Sequence, residues 1–376
     1  MKFVTQREQL QQAIGTVQRA VSSRSTLPIL SNILLEADSN GLTLSATDHE
    51  IGIRARLAVD TEVAGRTTLP ARLLSEVVGA QPAGPPLVVE SDDSDHVTFR
   101  CGRSELEVHG LPADEFPVIP ALDSDTSFTV PQGLLKQMIN SCIIAVGHDE
   151  TRARLTGMLF TIEDGRLRLV ATDTHRLATR SEPIEDIPGS VVAHIIPARA
   201  LREVERLLTE DGKSVVNIDL TESQVQFRFD GVTVISRLIE GEFPNYRKVI
   251  PSRTDWTVTV DCSRLREAVR RCAIVSREDN RKLILKATVD GLIELRAAST
   301  KIGSAKDPID DVDIQVTSGV TEPLEIAFNA DYLHDVLVYL KCEQIKMQLT
   351  AANHPGAVKP VAEEDYVYVL MPMQMG

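Results

Sequence analysis

Apolar residues recur at helical spacing in three separate stretches of the chain. Within each stretch they return every three or four residues, which places them along one face of a helix. The three sets are Leu10, Ala13, Ile14, Val17 and Val21; Leu134, Leu135, Met138, Ile139, Cys142 and Val146; and Leu265, Ala268, Val269, Cys272 and Val275. The pattern predicts an amphipathic helix near the start, near one third and near two thirds of the chain.

Runs with strand-like composition follow each predicted helix, in pairs that flank an Asn-Gly or Asp-Gly step. The steps lie at residues 40–41, 164–165 and 290–291, and such a step between strand-like runs is a strong hairpin signal. A second helix is predicted in each case, around 73–78, 201–208 and 333–340, with further strands after it. Few helices and many antiparallel strands indicate an α+β fold, in which each domain is a pair of helix-plus-strand halves.

Short sequences also repeat in the same order with a nearly constant shift. Residues 46–48 (Ala-Thr-Asp) return at 171–173, and residues 115–117 (Glu-Phe-Pro) return at 242–244, while 298–300 (Ala-Ser-Thr) is a fainter third copy. Shifts of 125 and 127 residues exceed any solenoid unit, so each copy is predicted to be a domain. With proline-containing bends as boundaries, the domains are 1–121, 122–252 and 253–376.

The composition indicates a globular protein of a reducing compartment. The five cysteines are scattered, without a C-x-x-C pair, and no apolar run approaches a membrane span, so a cytoplasmic protein is expected. The formal net charge of −14 by itself argues against nucleic acid as a partner. Arginines, however, gather on predicted helices, at 199, 202 and 206 and at 264, 266, 270 and 271, while many acids fall in strand ends and loops. Such helix faces can hold DNA if they are turned towards it.

The best catalytic candidate is the pair Asp173 and His175. On a strand this spacing places a carboxylate and an imidazole on one face, as a general base would need. No nucleophile accompanies the pair, and Gly212-Lys213-Ser214 lacks the leading glycine of a phosphate-binding loop. No catalytic residue, metal site or cofactor is therefore predicted.

Several segments together resemble the bacterial DNA polymerase III beta subunit family, the replicative sliding clamps. They are residues 26–32 (TLPILSN), 155–160 (LTGMLF), 171–178 (ATDTHRLA), 242–247 (EFPNYR) and 369–373 (VLMPM), and the match extends over essentially the whole chain. The resemblance implies a non-enzymatic processivity factor: a head-to-tail homodimeric ring that encircles double-stranded DNA without sequence readout. It also implies that the ring tethers the DNA polymerase and is handled by a clamp loader, both through short peptide motifs.

The resemblance carries specific roles over to residues of this chain. A partner-peptide pocket would include Leu155, Thr172, His175, Arg176, Leu177, Pro244, Lys248, Val249, Val369, Met371, Pro372 and Met373. The DNA-facing residues would be Arg24, His148, Arg152 and Arg199, and the dimer interface would join Leu106 and Val108 to Ile274 and Val275. The Asp-x-His-Arg segment is then pocket wall rather than a catalytic pair.

Some positions depart from the family pattern. Glu105 and Glu107 flank the interface residues where relatives are more basic or neutral, and Lys248 stands where an arginine is common. Ala153 and Arg154 replace aromatic residues, and the chain ends in Gln-Met-Gly. Two other hypotheses stay open at this point: an adaptor with a peptide groove and no DNA role, and a hydrolase using Asp173 and His175.

Overall fold

A computed structural model describes residues 1–22, 27–120, 122–124, 126–185, 192–278, 280–363 and 365–375. It has six α-helices in its described part. They are α1 (Arg7–Val17), α2 (Ala71–Gly79), α3 (Gln132–Ile143), α4 (Ala198–Leu207), α5 (Cys262–Ser276) and α6 (Ala330–Tyr339). All six predicted helices are confirmed within a few residues of their expected bounds.

Twenty-six strands are described, and every pairing between them is antiparallel. The first nine are β1 (Lys2–Thr5), β2 (Asn32–Asp38), β3 (Gly41–Thr47), β4 (Ile51–Leu57), β5 (Asp60–Val63), β6 (Gly65–Pro70), β7 (Leu87–Ser91), β8 (His96–Cys101) and β9 (Ser104–His109). The next eight are β10 (Thr126–Pro131), β11 (Gly157–Glu163), β12 (Arg166–Thr172), β13 (Arg176–Pro183), β14 (Val192–Pro197), β15 (Val215–Leu220), β16 (Gln224–Phe229) and β17 (Val232–Arg237). The last nine are β18 (Trp256–Asp261), β19 (Lys282–Ala287), β20 (Ile293–Ser299), β21 (Gly303–Ile309), β22 (Asp313–Val316), β23 (Leu324–Asn329), β24 (Gln344–Leu349), β25 (Gly356–Pro360) and β26 (Tyr366–Leu370).

The chain folds into two compact units, which follow the sheets. Unit 1 comprises residues 1–134 and 199–238, and unit 2 comprises residues 135–198 and 239–376. The middle third of the sequence thus contributes to both units. The three domain ranges read from the sequence remain a prediction about the repeat.

Unit 1 contains a five-stranded and an eight-stranded sheet. The smaller has the order β5-β1-β7-β8-β9, and the larger has the order β10-β15-β16-β17-β4-β3-β2-β6. In the larger sheet, four strands of the second repeat meet four strands of the first, where β17 pairs with β4. Helix α1 packs on β3 and β4 through Leu10, Ile14 and Val17, which are fully buried.

Unit 2 repeats this plan with a nine-stranded and a four-stranded sheet. The orders are β14-β11-β12-β13-β26-β25-β24-β18-β22 and β21-β20-β19-β23. In the larger sheet, the second repeat meets the third where β13 pairs with β26. Helix α5 packs against α6, β20 and β21, and its core side is formed by Leu265, Ala268, Val269 and Cys272, all fully buried.

The Asp-Gly step at 164–165 shows how local sequence fixes a hairpin. Both residues have positive φ angles, 52° and 70°, which is the geometry of a type I′ turn. Glu163 pairs with Arg166 across this two-residue loop, and the register continues to Leu159 and Val170.

The faint third copy is shifted relative to its sequence match. Ala46 pairs with Ile53 and Ala171 pairs with Ala178, and the equivalent pair in the third copy is Ala297 with Ala305. Ala297 is buried, like Ala46 and Ala171, whereas Ala298 is exposed. The match at Ala298 is therefore wrong by one residue, because side chains alternate between the two faces of a strand.

Candidate functional sites: an apolar cleft and basic helix faces

Unit 2 contains an open cleft of about 160 Å³ beside the pairing of β13 with β26. Its lining is mainly apolar and is formed by Thr172, Thr174, Arg176, Leu177, Pro244, Asn245, Tyr246, Val249, Val369 and Met371. A small apolar cleft with a few polar groups at its edge is the usual form of a site for a short ligand segment.

Strand pairing places the floor of the cleft. Leu177 of β13 lies directly opposite Val369 of β26, so both side chains point to the same face of the sheet. Tyr246, at the start of a short 3-10 helix, packs against them, and Leu159, Val170 and Ile195 complete a buried cluster beneath. This floor is fixed by the sheet and does not need a ligand to form.

Arg176 is held rigidly at one side of the cleft, with only 8% of its surface exposed. Its Nε donates to Asp173 at 3.0 Å, its Nη1 donates to Asp335 at 2.7 Å, and its guanidinium lies 4.2 Å from the centre of the Tyr332 ring. Burial disfavours its charge, but Tyr368, Asp335 and Asp173 outweigh it and raise the guanidinium pKa. Arg176 therefore stays charged and positioned.

The same contacts favour a structural role for Asp173 over the catalytic interpretation of Asp173 and His175. The Asp173 carboxylate accepts hydrogen bonds from the backbone N–H groups of His175 and Arg176 and from the Arg176 side chain. The His175 ring is instead stacked towards Tyr332, with the ring centres 6.5 Å apart. Asp173 thus acts as a structural acceptor in the turn between β12 and β13.

Seven of the twelve predicted pocket residues line this cleft. They are Thr172, Arg176, Leu177, Pro244, Val249, Val369 and Met371. The structure adds three that the sequence did not indicate, Thr174, Asn245 and Tyr246. Leu155, His175, Lys248, Pro372 and Met373 do not line it: Leu155 is buried, His175 and Lys248 are exposed, and the Met373 N–H donates to the Ala327 carbonyl at 2.8 Å.

The predicted DNA-facing residues differ in their local partners. Arg199 is exposed on α4 and forms an ion pair with Asp48, and Arg152 is paired with Asp149 at 2.8 Å. His148 is exposed, and Arg24 lies outside the described residues. Helix α4 also exposes Arg202 and Arg206, and helix α5 exposes Arg264, Arg270 and Arg271. The arginines predicted for these helix faces are thus exposed, except for Arg266, which is half-buried.

Of the predicted interface residues, two are conspicuously exposed apolar side chains. Leu106 on β9 is 40% exposed and Ile274 on α5 is 57% exposed. Val275 is half-buried, and Val108 is buried against its own sheet, so it has little surface to offer a partner. Strand β9 ends its five-stranded sheet and β21 ends its four-stranded sheet in the described part of the chain.

The comparisons with known proteins agree over the whole sequence. Three family models match in order: the N-terminal, central and C-terminal domains of the DNA polymerase III beta subunit, at residues 1–120, 129–245 and 247–374. The chain belongs to the DNA polymerase III beta subunit family. The beta sliding clamp of Proteus mirabilis is 37% identical, and that of Escherichia coli K12 is 33% identical, each covering all of both chains.

Solved clamp structures have the same fold. The DNA polymerase III beta subunit of Pseudomonas aeruginosa aligns over all of both chains with a TM-score of 0.94 at 32% identity. The sliding clamp of Bacillus subtilis aligns equally completely, with a TM-score of 0.94 at 31% identity. The chain therefore has the three-domain clamp fold and the role of a DNA sliding clamp, which is a processivity factor and not an enzyme.

None of the described helices is long and apolar enough to cross a membrane. Within the same described residues, no group of three or more His, Cys, Asp or Glu side chains is placed to hold a metal ion.

Proposed function

We propose that two copies of this chain close head to tail into a ring around duplex DNA. The observation that carries the proposal is the repetition of one strand junction. Inside the chain, β17 pairs with β4 and β13 pairs with β26, and each pairing joins the last strand of one repeat to a strand in the first half of another. In the first repeat β9 corresponds to β17 and β26, and in the third repeat β21 corresponds to β4 and β13. Both β9 and β21 lie at the edge of a sheet in the described part of the chain. Pairing β9 of each copy with β21 of the other removes both edges and closes a cycle.

Exposed arginines on α4 and α5 support sequence-independent contact with DNA. Guanidinium groups bind phosphate oxygens, and such contacts position a duplex without reading bases. The pairing of Arg199 with Asp48 and of Arg152 with Asp149 reduces the charge available for phosphate. Weak contacts of this kind suit a protein that slides while the ring prevents escape.

The cleft at Leu177 and Val369 is proposed to dock a short peptide segment of the polymerase. Its sheet-built floor binds apolar side chains, and Met371 adapts to different shapes because its side chain is flexible. Clamp-loader subunits are proposed to use the same cleft, in the cytoplasm, where replication takes place.

Ring closure is tested by sedimentation velocity and negative-stain imaging of the purified protein. The proposal expects a dimer whose averaged particles show six lobes around a hole. Single chains at micromolar concentration, without rings, would contradict it.

The tether is tested by a processivity assay with the replicative polymerase of the same organism on a circular primed template. The double variant Val249→Ala and Met371→Ala is expected to reduce product length or polymerase affinity at least tenfold, as for hot-spot residues. The matched control is Val289→Ala with Val361→Ala, since these are exposed apolar residues of the same unit outside the cleft. Equal processivity for cleft and control variants would exclude this cleft as the docking site.

A further inference from the structure

The two edge strands carry complementary charges, and the internal junctions fix how these charges would meet. In unit 1, Val234 of β17 lies opposite Ile53 of β4. In unit 2, Tyr368 of β26 lies opposite Ala178 of β13. These two pairs define the register that the third junction would repeat.

Strand β9 can be aligned with β17 through the hairpins that precede them. Cys101 pairs with Ser104 at the start of β9, and Phe229 pairs with Val232 at the start of β17. Each is the first pair after a two-residue turn, so Ser104 corresponds to Val232 and Leu106 to Val234.

Strand β21 can be aligned with β4 and β13 in the same way. Ala46 with Ile53, Ala171 with Ala178 and Ala297 with Ala305 are equivalent pairs, so Ala305 takes the place of Ile53. The third junction therefore sets Leu106 of one copy opposite Ala305 of the other. One step along the antiparallel strands, Glu105 lies opposite Lys306.

The faces of the two strands agree with this register. Leu106 pairs with buried Phe99, and Ala305 pairs with buried Ala297, so both point to the core side of their sheets. Glu105 pairs with Arg100 and Lys306 pairs with Arg296, so both point to the other side. Residues that lie opposite each other in a sheet share a face, as these do.

Glu105 is the last residue in a row of charged side chains of alternating sign on the five-stranded sheet. Arg100 donates to Glu90 at 2.7 Å through Nη1 and to Glu105 at 2.9 Å through Nε. The side chain of Glu105 is still 64% exposed, so the carboxylate remains accessible for another cation.

Lys306 is the end of a second row, on the four-stranded sheet. Its Nζ lies 2.6 Å from a carboxylate oxygen of Glu294. Glu294 also forms an ion pair with Arg296, whose guanidinium lies 3.5 Å from the carboxylate of Glu325. The Lys306 side chain is 66% exposed. Each row thus alternates in sign and ends in an exposed charge opposite to that of the other.

We propose that Glu105 of one copy and Lys306 of the next form an ion pair at each ring junction, so that the two charge rows join into one alternating row. This rests on the ring closure proposed above and adds the register and the residue pair. It gives Glu105 a positive role in assembly, although the sequence marks it as a departure from the family pattern.

Charge reversal in separate chains provides the test. In a Glu105→Lys homodimer, both junctions set lysine against lysine, and in a Lys306→Glu homodimer both set glutamate against glutamate. A mixed dimer of the two variants has opposite charges at both junctions. The mixed and homodimeric rings contain the same chains, so folding defects and contacts within a chain cancel in the comparison.

Sedimentation equilibrium at about 50 mM salt should show a 5- to 30-fold weaker dimer for each variant alone, about 1–2 kcal/mol over two junctions. An equimolar mixture should recover most of the wild-type affinity, and the differences should shrink at about 0.5 M salt because exposed charges are screened. The control is Glu62→Lys, which makes the same charge change on β5, the other edge of the same sheet, and should dimerise like wild type.

Variants that dimerise as tightly alone as in the mixture would overturn the ion pair and leave ring closure standing. A wild-type chain that stays monomeric would overturn both.

The register is tested separately by an engineered disulfide. Leu106→Cys with Ala305→Cys should give a covalent dimer on mild oxidation, whereas Ser104→Cys with Ala305→Cys, two residues out of register, should not. Crosslinking of the second pair but not the first would show that the strands meet in another register.

Discussion

At the residue scale, Arg176 is the side chain on which the cleft wall depends most. It joins the turn after β12 to α6, through Asp173 and Asp335, and it also covers the Tyr332 ring. A largely buried cation with two carboxylate partners cannot be removed without leaving their charge uncompensated.

Replacing Arg176 with methionine keeps much of the volume and removes the charge. We expect a loss of about 2–4 kcal/mol in the free energy of unfolding, measured by urea denaturation. The control Arg152→Met removes an exposed pair with Asp149 and should cost less than about 1 kcal/mol. Equal losses of unfolding free energy in the two variants would show that the Arg176 contacts stabilise the fold no more than an exposed ion pair does.

The lowered pKa of Asp219 predicts that the stability of unit 1 depends on pH. Burial acts to raise its pKa, but hydrogen bonds from Arg228, Ser127 and Gln226 outweigh burial, and the net pKa is lowered. The ionised form is therefore favoured by folding, and its contribution is present above the unfolded pKa of about 4. It is lost as the pH falls from there through the folded pKa.

The variant Asp219→Asn should accordingly be less stable than wild type at pH 7, by about 1–2 kcal/mol, with the difference narrowing below pH 4. Thermal melting at several pH values measures this. A difference that stays constant down to pH 3 would mean that the charge of Asp219 is not responsible.

Single residues of the cleft could be predicted only where the resemblance supplied them. Leu177 and Val369 belong to segments that carry the family resemblance, and both line the cleft. Tyr246 also lies in such a segment, yet its sequence position does not reveal that it turns inward and packs in one cluster with Leu177. Likewise, the resemblance assigns Val108 to the interface, but Val108 is buried against its own sheet, whereas Leu106 on the same face of β9 is 40% exposed.

At the scale of elements, the arginines of α4 are expected to contribute to DNA affinity. Arg199, Arg202 and Arg206 are all exposed on this helix. Replacing the three with alanine should weaken binding to a short duplex. It should also lower the slope of log affinity against log salt by about 0.9 for each arginine that contacts a phosphate.

Fluorescence anisotropy over a salt series measures both effects. The control replaces Arg66, Arg247 and Arg253, which are also exposed, carry the same charge and lie outside the basic helices. If both triple variants lose the same affinity and slope, α4 has no special role and only net charge matters.

Helices and hairpins were predictable because their signals are local. Apolar spacing indicates a helix within a few turns, and an Asp-Gly step fixes the hairpin at 164–165. The pairing of β17 with β4 and of β13 with β26 joins residues almost two hundred positions apart, and no local pattern encodes it. Those long-range pairings define the two units, and they are the part of the fold that the sequence alone did not reveal.

At the scale of the whole molecule, the repeat explains how an acidic chain can hold DNA, because repeated junctions allow a closed ring. A ring holds DNA by topology, so its contacts with phosphate need not be strong. A formal net charge of −14 is therefore compatible with DNA binding. In this account the free edges of β9 and β21 matter more for retention than any single arginine.

The most direct test of topological holding is retention on circular and linear DNA at high salt. After loading onto a nicked circle by its clamp loader, the protein should co-elute with the DNA in gel filtration at about 0.5 M salt, where ordinary phosphate contacts are largely lost. Cutting the circle once should release it at the same salt. Loss from intact circles at that salt, or equal retention on circular and cut DNA, would contradict the account.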